Sequence, residues 1–174
     1  MIFVPAKLEG SYIIEPETKG DNRGWFMRSF DKNEFAQIGF YGEWVQMNHS
    51  FTAGKGAIRG LHFQKTPYEE IKLVRCIAGS VFDVAVDLRK HSATYLQWFG
   101  TELSAQNKKS FYIPEGFAHG FQTLTENAEL IYCHSQYYKP EYESGLRYND
   151  PKINIQWPLQ LTVISERDKN HSLL

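Results

Sequence analysis

The sequence is poor in cysteine, in unbalanced charge and in long apolar runs. Only Cys76 and Cys133 are present, each inside an apolar run, so we predict reduced core thiols in a cytoplasmic protein. A net charge of -1 over 174 residues argues against binding to nucleic acid or to a membrane surface. No apolar run approaches the length that spans a bilayer, and the N-terminal MIFVPAKLEG lacks the pattern of a signal peptide.

The signatures of common cofactor and nucleophile sites are absent too. No H-x-H pair occurs, and a transition-metal site needs three or four converging ligands, so we predict no metal. There is also no serine elbow, no cysteine beside an activating base, no glycine-rich phosphate loop and no dinucleotide fingerprint. These absences disfavour redox, kinase and nucleophilic chemistry, and we predict no cofactor. The six histidines are scattered singly, at His49, His62, His91, His119, His134 and His171.

Aromatic residues, at 15%, and short alternating stretches are abundant and favour strands. Ser80–Leu88 alternates between two faces and follows IKLVRCIAG, which predicts a hairpin. Helical signal is limited to short turns at Asn33–Gly39 and Pro140–Gly145. We predict a single all-β domain over residues 1–174, a sandwich or barrel able to hold one small ligand. Further strands are predicted at Gly10–Ile14, Gly24–Phe30, Val45–Phe51, Tyr95–Leu103, Lys109–Ile113, Ala118–Leu124 and Leu130–Tyr138.

One predicted strand, Leu130–Tyr138, carries a polar face. Such a face either meets solvent or lines a polar cavity, and the two aspartates of Ser80–Leu88 pose the same choice. The residues concerned are Tyr132, His134, Gln136, Tyr138, Asp83 and Asp87.

Proton transfer is the chemistry that these residue types suit best. His62, in RGLHFQ, could take a proton near neutral pH, and the ammonium group of Lys72 could stabilise an enolate oxygen. The phenol of Tyr132 could return a proton from the other side, which would invert a carbon next to a carbonyl. Each residue also has a simpler interpretation: a hydrogen-bonded core histidine, an edge-strand lysine and a strand aromatic.

The segment PEGFAHGF has the spacing P-x-G-x-x-H, which resembles the second motif of the cupin superfamily. Nine segments share a family pattern: DNRGWF (Asp21–Phe26), VQMNHS (Val45–Ser50), IRGLHFQ (Ile58–Gln64), KLVRC (Lys72–Cys76), VFDVAVDLR (Val81–Arg89), LSAQN (Leu103–Asn107), IPEGFAHGF (Ile113–Phe121), YNDP (Tyr148–Pro151) and ISERD (Ile164–Asp168). Through these segments the chain resembles the dTDP-4-dehydrorhamnose 3,5-epimerase family over nearly its whole length. The resemblance implies a cupin-like double-stranded β-helix jelly roll, a homodimer and metal-free epimerisation of a nucleotide-linked 4-keto-6-deoxy sugar.

The resemblance also implies roles for individual residues. His62 would be the general base, with Asp168 as the partner that fixes its tautomer. Tyr132 would be the general acid, and Lys72 would stabilise the enolate. The implied second polar groups in the barrel are His119 and Asp83. The implied substrate contacts are Arg23 and Arg59 for the diphosphate and sugar, Gln46 and Asn48 for the nucleoside, Tyr138 for stacking on the base, Glu143, and Arg167 in place of the family's lysine.

Two departures from the family's pattern bear on specificity. Arg28 stands where the family usually has glutamate, and arginine cannot accept the N3–H of thymine. The nucleotide could therefore be a cytidine or guanosine diphosphate, unless Arg28 turns to solvent. Before Lys72, the carboxylates of Glu69 and Glu70 replace a more neutral, glycine-containing stretch.

Several functions remain open from sequence. We expect inversion at C3, C5 or both in dTDP-4-dehydro-6-deoxyglucose; a mono-epimerase for a CDP- or GDP-linked sugar is the alternative. A non-catalytic sugar-nucleotide binding protein would lack one of the four catalytic residues, and none is missing. A metal-dependent cupin is disfavoured by the missing H-x-H. Met1–Ile14 is expected to add a strand to a partner sheet. The family's commonest setting is deoxysugar synthesis for surface polysaccharide.

Overall fold

The computed structural model describes all 174 residues and contains thirteen strands, two short α-helices and two 3-10 turns. The helices are α1 (Lys32–Phe35) and α2 (Glu166–Lys169), and the 3-10 turns span Ala36–Ile38 and Pro140–Tyr142. The strands are β1 (Ile2–Pro5), β2 (Tyr12–Glu15), β3 (Thr18–Asp21), β4 (Gly24–Met27), β5 (Gln46–Ala53), β6 (Ile58–Gln64), β7 (Lys72–Ala78), β8 (Ser80–Asp87), β9 (Trp98–Ser104), β10 (Ser110–Ile113), β11 (Phe117–Thr123), β12 (Asn127–His134) and β13 (Glu143–Gly145).

Most strands belong to two antiparallel sheets. One has six strands in the order β1-β2-β10-β7-β12-β5, and the other has five in the order β13-β6-β11-β8-β9. Consecutive strands alternate between the sheets from β5 to β8 and again from β10 to β13, so the chain winds around a common axis. This winding is that of a double-stranded β-helix, and the predicted all-β jelly roll with a few short helices is confirmed. β3 and β4 form a separate hairpin.

The main core lies between the two sheets. Thirteen buried apolar residues pack there, among them Val81, Phe111 and Leu130. A large apolar side chain of this kind contributes about 1.5–3 kcal/mol by leaving water. Along the inward face of β12, Leu130 belongs to this core, whereas Tyr132 and His134 line a polar cavity. The polar face predicted for this strand therefore lines a cavity over these two residues.

The outer face of the five-stranded sheet is covered by the C-terminal part of the chain. Val84 and Val86 of β8 pack there in a second buried cluster with Leu146, Ile153 and Ile155. β8 is therefore buried on both faces. The aspartates on its other face, Asp83 and Asp87, are fully buried and do not meet solvent.

Aromatic residues cover the outer face of the six-stranded sheet. Phe35 of α1 and Phe40 pack against Leu73 and Tyr112. Asp31 is the N-cap of α1, and its carboxylate accepts hydrogen bonds from the backbone N–H groups of the first turn. The helical turns predicted over Asn33–Gly39 are confirmed.

The limits of several predicted elements were wrong. β12 ends at His134, so Tyr138 approaches the cavity from a loop. The chain turns at Leu96, whose φ is 59°, and β9 begins at Trp98. The helix predicted at Pro140–Gly145 is limited to one 3-10 turn, because Glu143–Gly145 pairs with β6 as β13. β4 ends at Met27 instead of Phe30.

The N-terminal segment contributes β1 and part of β2 to the chain's own six-stranded sheet, with β1 at the edge. Addition of Met1–Ile14 to a partner sheet stays a prediction. None of the helices has the length and apolar character needed to cross a bilayer.

Candidate active site

A cavity of about 300 Å³ lies between the sheets, a volume within the range of small-ligand sites. β5, β7 and β12 supply one wall, and β6 and β11 supply the other. Only four of its sixteen lining residues are hydrophobic, which favours a polar ligand. The cavity brings together nine sequence-predicted residues, namely Gln46, Asn48, Arg59, His62, Lys72, His119, Tyr132, Tyr138 and Glu143.

His62 and Asp168 form a hydrogen-bonded dyad at this cavity. His62 Nε2 lies 2.8 Å from Asp168 Oδ1, although the two residues are 106 positions apart. Asp168 lies on α2, which Ser165 caps, and its Oδ2 accepts the backbone N–H of Gly60 at 3.0 Å. The carboxylate accepts the Nε2 proton, so Nδ1 is left as the basic ring nitrogen.

Position 60 requires glycine because of a close approach between strands. The φ of Gly60 is 111°, and a Cβ there would lie 2.7 Å from both Gly120 Cα and the carbonyl oxygen of His119. A side chain would force β6 away from β11 and move the Gly60 N–H from the carboxylate of Asp168. The glycine in RGLHFQ therefore helps to place the His62–Asp168 dyad.

The Asp168 carboxylate is ionised at neutral pH. Burial alone would raise its pKa, but hydrogen bonds from His62 and from the Gly60 N–H outweigh burial and lower the pKa to about 2. An ionised carboxylate at this position stabilises positive charge on His62 when the imidazole accepts a proton.

Lys72 places an ammonium group beside His62. Its Nζ donates to the carbonyl oxygen of His62 at 3.3 Å and pairs with Glu70 Oε1 at 3.2 Å. Both side chains are nearly buried. Burial acts to raise the pKa of Glu70, but the hydrogen bond from His134 and the charge of Lys72 lower it overall. The amine is thus held at the cavity by an ionised carboxylate.

Tyr132 reaches the cavity from the sheet opposite His62. It lies on β12 of the six-stranded sheet, while His62 lies on β6 of the five-stranded sheet. Its hydroxyl is 2.9 Å from Ser50 Oγ. Burial raises the pKa of Tyr132, and the Ser50 contact only partly opposes this, so the phenol keeps its proton at neutral pH.

His119 forms a second histidine–carboxylate pair. It is the register partner of His62 across β11 and β6, and its Nε2 lies 3.0 Å from each oxygen of Asp83. Asp83 is fully buried behind His119 and does not line the cavity itself. The pair places an oriented imidazole next to His62.

Three predicted substrate contacts lie outside the cavity of this chain. Arg23 lies at the turn of the β3–β4 hairpin with an 86% exposed side chain and pairs with Asp21. Arg28 pairs with Asp31 at 3.1 Å. Arg167 pairs with the cavity residue Glu143.

Comparison with known proteins decides the family. The model of the dTDP-4-dehydrorhamnose 3,5-epimerase family matches residues 5–174. The chain belongs to this family. It is 46% identical over 171 residues to the dTDP-4-dehydrorhamnose 3,5-epimerase of Shigella flexneri, covering 98% of this chain and 94% of that protein. It is 39% identical to the dTDP-4-dehydrorhamnose 3-epimerase of Streptomyces niveus, covering 98% of this chain and 82% of that protein.

A solved structure within the family shows the same fold. The dTDP-6-deoxy-D-glucose-3,5-epimerase of Legionella pneumophila, in complex with dTDP-4-keto-L-rhamnose, superposes with a TM-score of 0.94 at 41% identity. The match covers 99% of this chain and 92% of that chain.

Two further ionisable cavity residues of this epimerase family member, Glu70 and His134, are named from its sequence, but neither of them is assigned a role in the site on that basis. Glu70 lines the cavity and bridges Lys72 and His134. His134 shares the inward face of β12 with Tyr132, and the polar alternation of that strand is the signal that marked it. Glu70 follows no such pattern, because its loop position carries no periodicity.

One group of side chains in this family member has the donors of a cation site. The ligand atoms of His62, Asp168 and His171 all lie within 4.8 Å of one another. This set differs from the cupin H-x-H pattern, and it shares both members of the dyad. The absence of a functional metal stays a prediction.

Proposed function

We propose that this chain inverts C3 and C5 of dTDP-4-dehydro-6-deoxyglucose to give dTDP-4-dehydrorhamnose. One observation carries the proposal: His62 and Tyr132 line the same cavity from opposite sheets. A sugar bound between the sheets would have a base on one side and a proton donor on the other. Family membership supports an isomerase acting on a sugar nucleotide.

Each inversion proceeds by removal and return of one proton. His62 Nδ1 takes the proton from the carbon next to the C4 ketone, and the bonding electrons move onto the ketone oxygen as an enolate. The ammonium of Lys72 stabilises that oxygen, while Asp168 stabilises the imidazolium. Tyr132 then gives its proton to the opposite face of the carbon. Proton exchange with solvent returns a neutral imidazole and a neutral phenol.

The polar residues around the dyad support binding of the nucleotide part. Gln46 and Asn48 supply amides for the nucleoside, and Arg59 supplies a guanidinium for the diphosphate. Tyr138 supplies an aromatic face at the cavity rim. Arg28 pairs with Asp31 outside the cavity of its own chain. The dTDP-sugar epimerases among the relatives favour dTDP as the nucleotide.

The proposal includes a cytoplasmic homodimer that serves surface-polysaccharide synthesis. The β3–β4 hairpin projects Trp25 and Phe26, which are 55% and 67% exposed, and Met47 on edge strand β5 is 68% exposed. Apolar exposure of this extent favours a protein partner. Arg23 does not line the cavity of its own chain and pairs with Asp21. Its role in substrate binding would be met by entry into the cavity of the second copy. Light scattering at micromolar concentration tests this, and a monomer would contradict it.

Inversion at C3 alone is the second candidate. The Streptomyces niveus relative is named a 3-epimerase at 39% identity, so family membership does not fix the number of inverted carbons. The catalytic groups are the same for one inversion or two, and the product of the reaction distinguishes the two candidates.

The experiment follows dTDP-4-dehydro-6-deoxyglucose by proton NMR with wild type and Tyr132→Phe. We expect inversion at both carbons with wild type. Tyr132→Phe should retain proton removal but lose inversion, because only the acid is missing. Tyr112→Phe is the matched control, since Tyr112 is also buried, with a pKa raised to about 12 by burial, but packs outside the cavity. No reaction with wild type, or equal inversion by Tyr132→Phe, would contradict the proposal.

A further inference from the structure

A chain of hydrogen bonds links Glu70 to the predicted nucleoside contacts. Glu70 Oε2 lies 2.7 Å from His134 Nδ1, and His134 Nε2 lies 3.3 Å from Asn48 Nδ2. Asn48 Oδ1 accepts from Gln46 Nε2 at 3.2 Å, and Gln46 Oε1 accepts from the backbone N–H of Tyr138 at 3.2 Å. All five residues line the cavity.

The groups at the two ends of this series of hydrogen bonds fix the direction of every bond in it. An ionised carboxylate can only accept, and a backbone N–H can only donate. His134 must therefore carry its proton on Nδ1 and accept at Nε2. The two amides then have one orientation each, with the oxygen of Asn48 turned to Gln46 and the oxygen of Gln46 turned to Tyr138. The unused N–H groups of both amides are the donors available to a ligand.

We infer that His134, oriented by Glu70, is a positioning residue that sets the donor and acceptor directions of Gln46 and Asn48, and that protonation of His134 reverses them. The inference rests on the proposed function, in which these amides bind the nucleoside. Glu70 lies in the loop before β7, and His134 lies on β12, the strand that pairs with β7.

Protonation of His134 at Nε2 places its N–H against the amide N–H of Asn48, so two donors face each other. With Nε2 protonated, Asn48 must turn its oxygen to His134 and its amide nitrogen to Gln46. Gln46 must then turn its oxygen to Asn48, and its hydrogen bond with the Tyr138 N–H is lost. Both amides present a different pattern to the base, so nucleotide affinity falls as His134 becomes charged.

The groups that face His134, whether charged, titratable or neutral, come from three strands and one loop. Glu70 faces its Nδ1 from the loop before β7, and Lys72 is its register partner on β7. Tyr132, on the same strand, has its ring centroid 6.3 Å away. β5 contributes only the neutral amides of Gln46 and Asn48. Imidazoles commonly change charge between about pH 5 and pH 8, so the test covers this range.

The test measures the Kd of dTDP alone by calorimetry from pH 8 to pH 5, for wild type, His134→Gln and His134→Leu. For wild type we expect dTDP binding to weaken about fivefold across this range, which is the effect of one lost hydrogen bond. His134→Gln keeps a hydrogen-bonding side chain without a charge change, so its profile should be flatter. His134→Leu should bind about fivefold more weakly at pH 8, with the loss in Kd and KM greater than in kcat.

The outcomes separate this inference from the proposed function. Normal turnover with the same Kd profile in wild type and both variants would overturn the inference and leave the function intact. A wild-type profile that flattens in His134→Gln, without turnover of any nucleotide sugar, would support the inference and overturn the function. His134→Gln carries the test if His134→Leu does not fold, and circular dichroism identifies that case.

Discussion

Replacement of Asp168 by asparagine tests how the dyad works. The change keeps the shape of the side chain and removes the charge. The pKa of Asp168 is about 2 instead of the usual 3.8, which corresponds to about 2.5 kcal/mol of stabilisation of the carboxylate by its neighbours. The hydrogen bond from His62 is the largest contribution that lowers the pKa. Asparagine carries no charge to stabilise the imidazolium that forms on His62. If the transition state for proton removal loses all of this stabilisation, the rate falls by about 60-fold.

Asp168→Asn should also change the free energy of unfolding, by an amount that depends on pH. Because the pKa of Asp168 in the folded protein lies below that of the unfolded chain, its contribution is present above pH 3.8 and is lost as the pH falls towards 2. Asp168→Asn should therefore lower the free energy of unfolding by about 2 kcal/mol at pH 7, with a smaller difference in acid. Urea unfolding at several pH values measures both quantities.

Asp87→Asn is the matched control for Asp168→Asn. Asp87 is also buried, and hydrogen bonds from Arg89, Ser92 and Thr94 outweigh burial and lower its pKa to about 2. It lies outside the cavity, so its replacement should cost similar stability and leave the rate of proton removal per folded molecule unchanged. Two results would refute the role assigned to the dyad: equal rates of proton removal for Asp168→Asn and wild type, or an equal fall in that rate in Asp168→Asn and Asp87→Asn.

Two further predictions concern the packing of the strands and the thiols. Gly60→Ala should lower the free energy of unfolding by about 3 kcal/mol, because strain at its positive φ adds to overpacking against β11. Chemical denaturation measures this change, and a loss below about 1 kcal/mol would contradict the prediction. Cys76 and Cys133 should resist alkylation at pH 7.5 in the native protein and react after unfolding, because burial raises the pKa of both thiols, that of Cys76 to about 11. Mass spectrometry counts the modified thiols, and rapid native modification of Cys76 would be the contrary result.

The sequence determines much of this structure through local patterns. Alternation identified β8 and the polar face of β12, and the glycine before His62 has a direct physical reason in the approach of β6 to β11. Contacts between distant segments had no such signal. Asp168 reaches His62 across 106 positions, and the family resemblance, not the residue pattern, paired them.

Other features depend on tertiary packing that no local pattern encodes. Glu143–Gly145 becomes a strand only because the edge of β6 is available to pair with it. Glu70 lies in a loop without periodicity, and its link to His134 follows from the register of β7 and β12. Arg23 lies on an exposed hairpin apart from the two main sheets, so no local pattern relates it to the cavity.

Incorporation of deuterium from solvent tests the central claim most directly. The protein is incubated with dTDP-4-dehydro-6-deoxyglucose in heavy water, and NMR follows C3 and C5 for wild type and His62→Ala. We predict exchange at both carbons with wild type and its loss in His62→Ala, because Nδ1 of His62 removes both protons. Undiminished exchange in His62→Ala, or no exchange with wild type, would contradict the account.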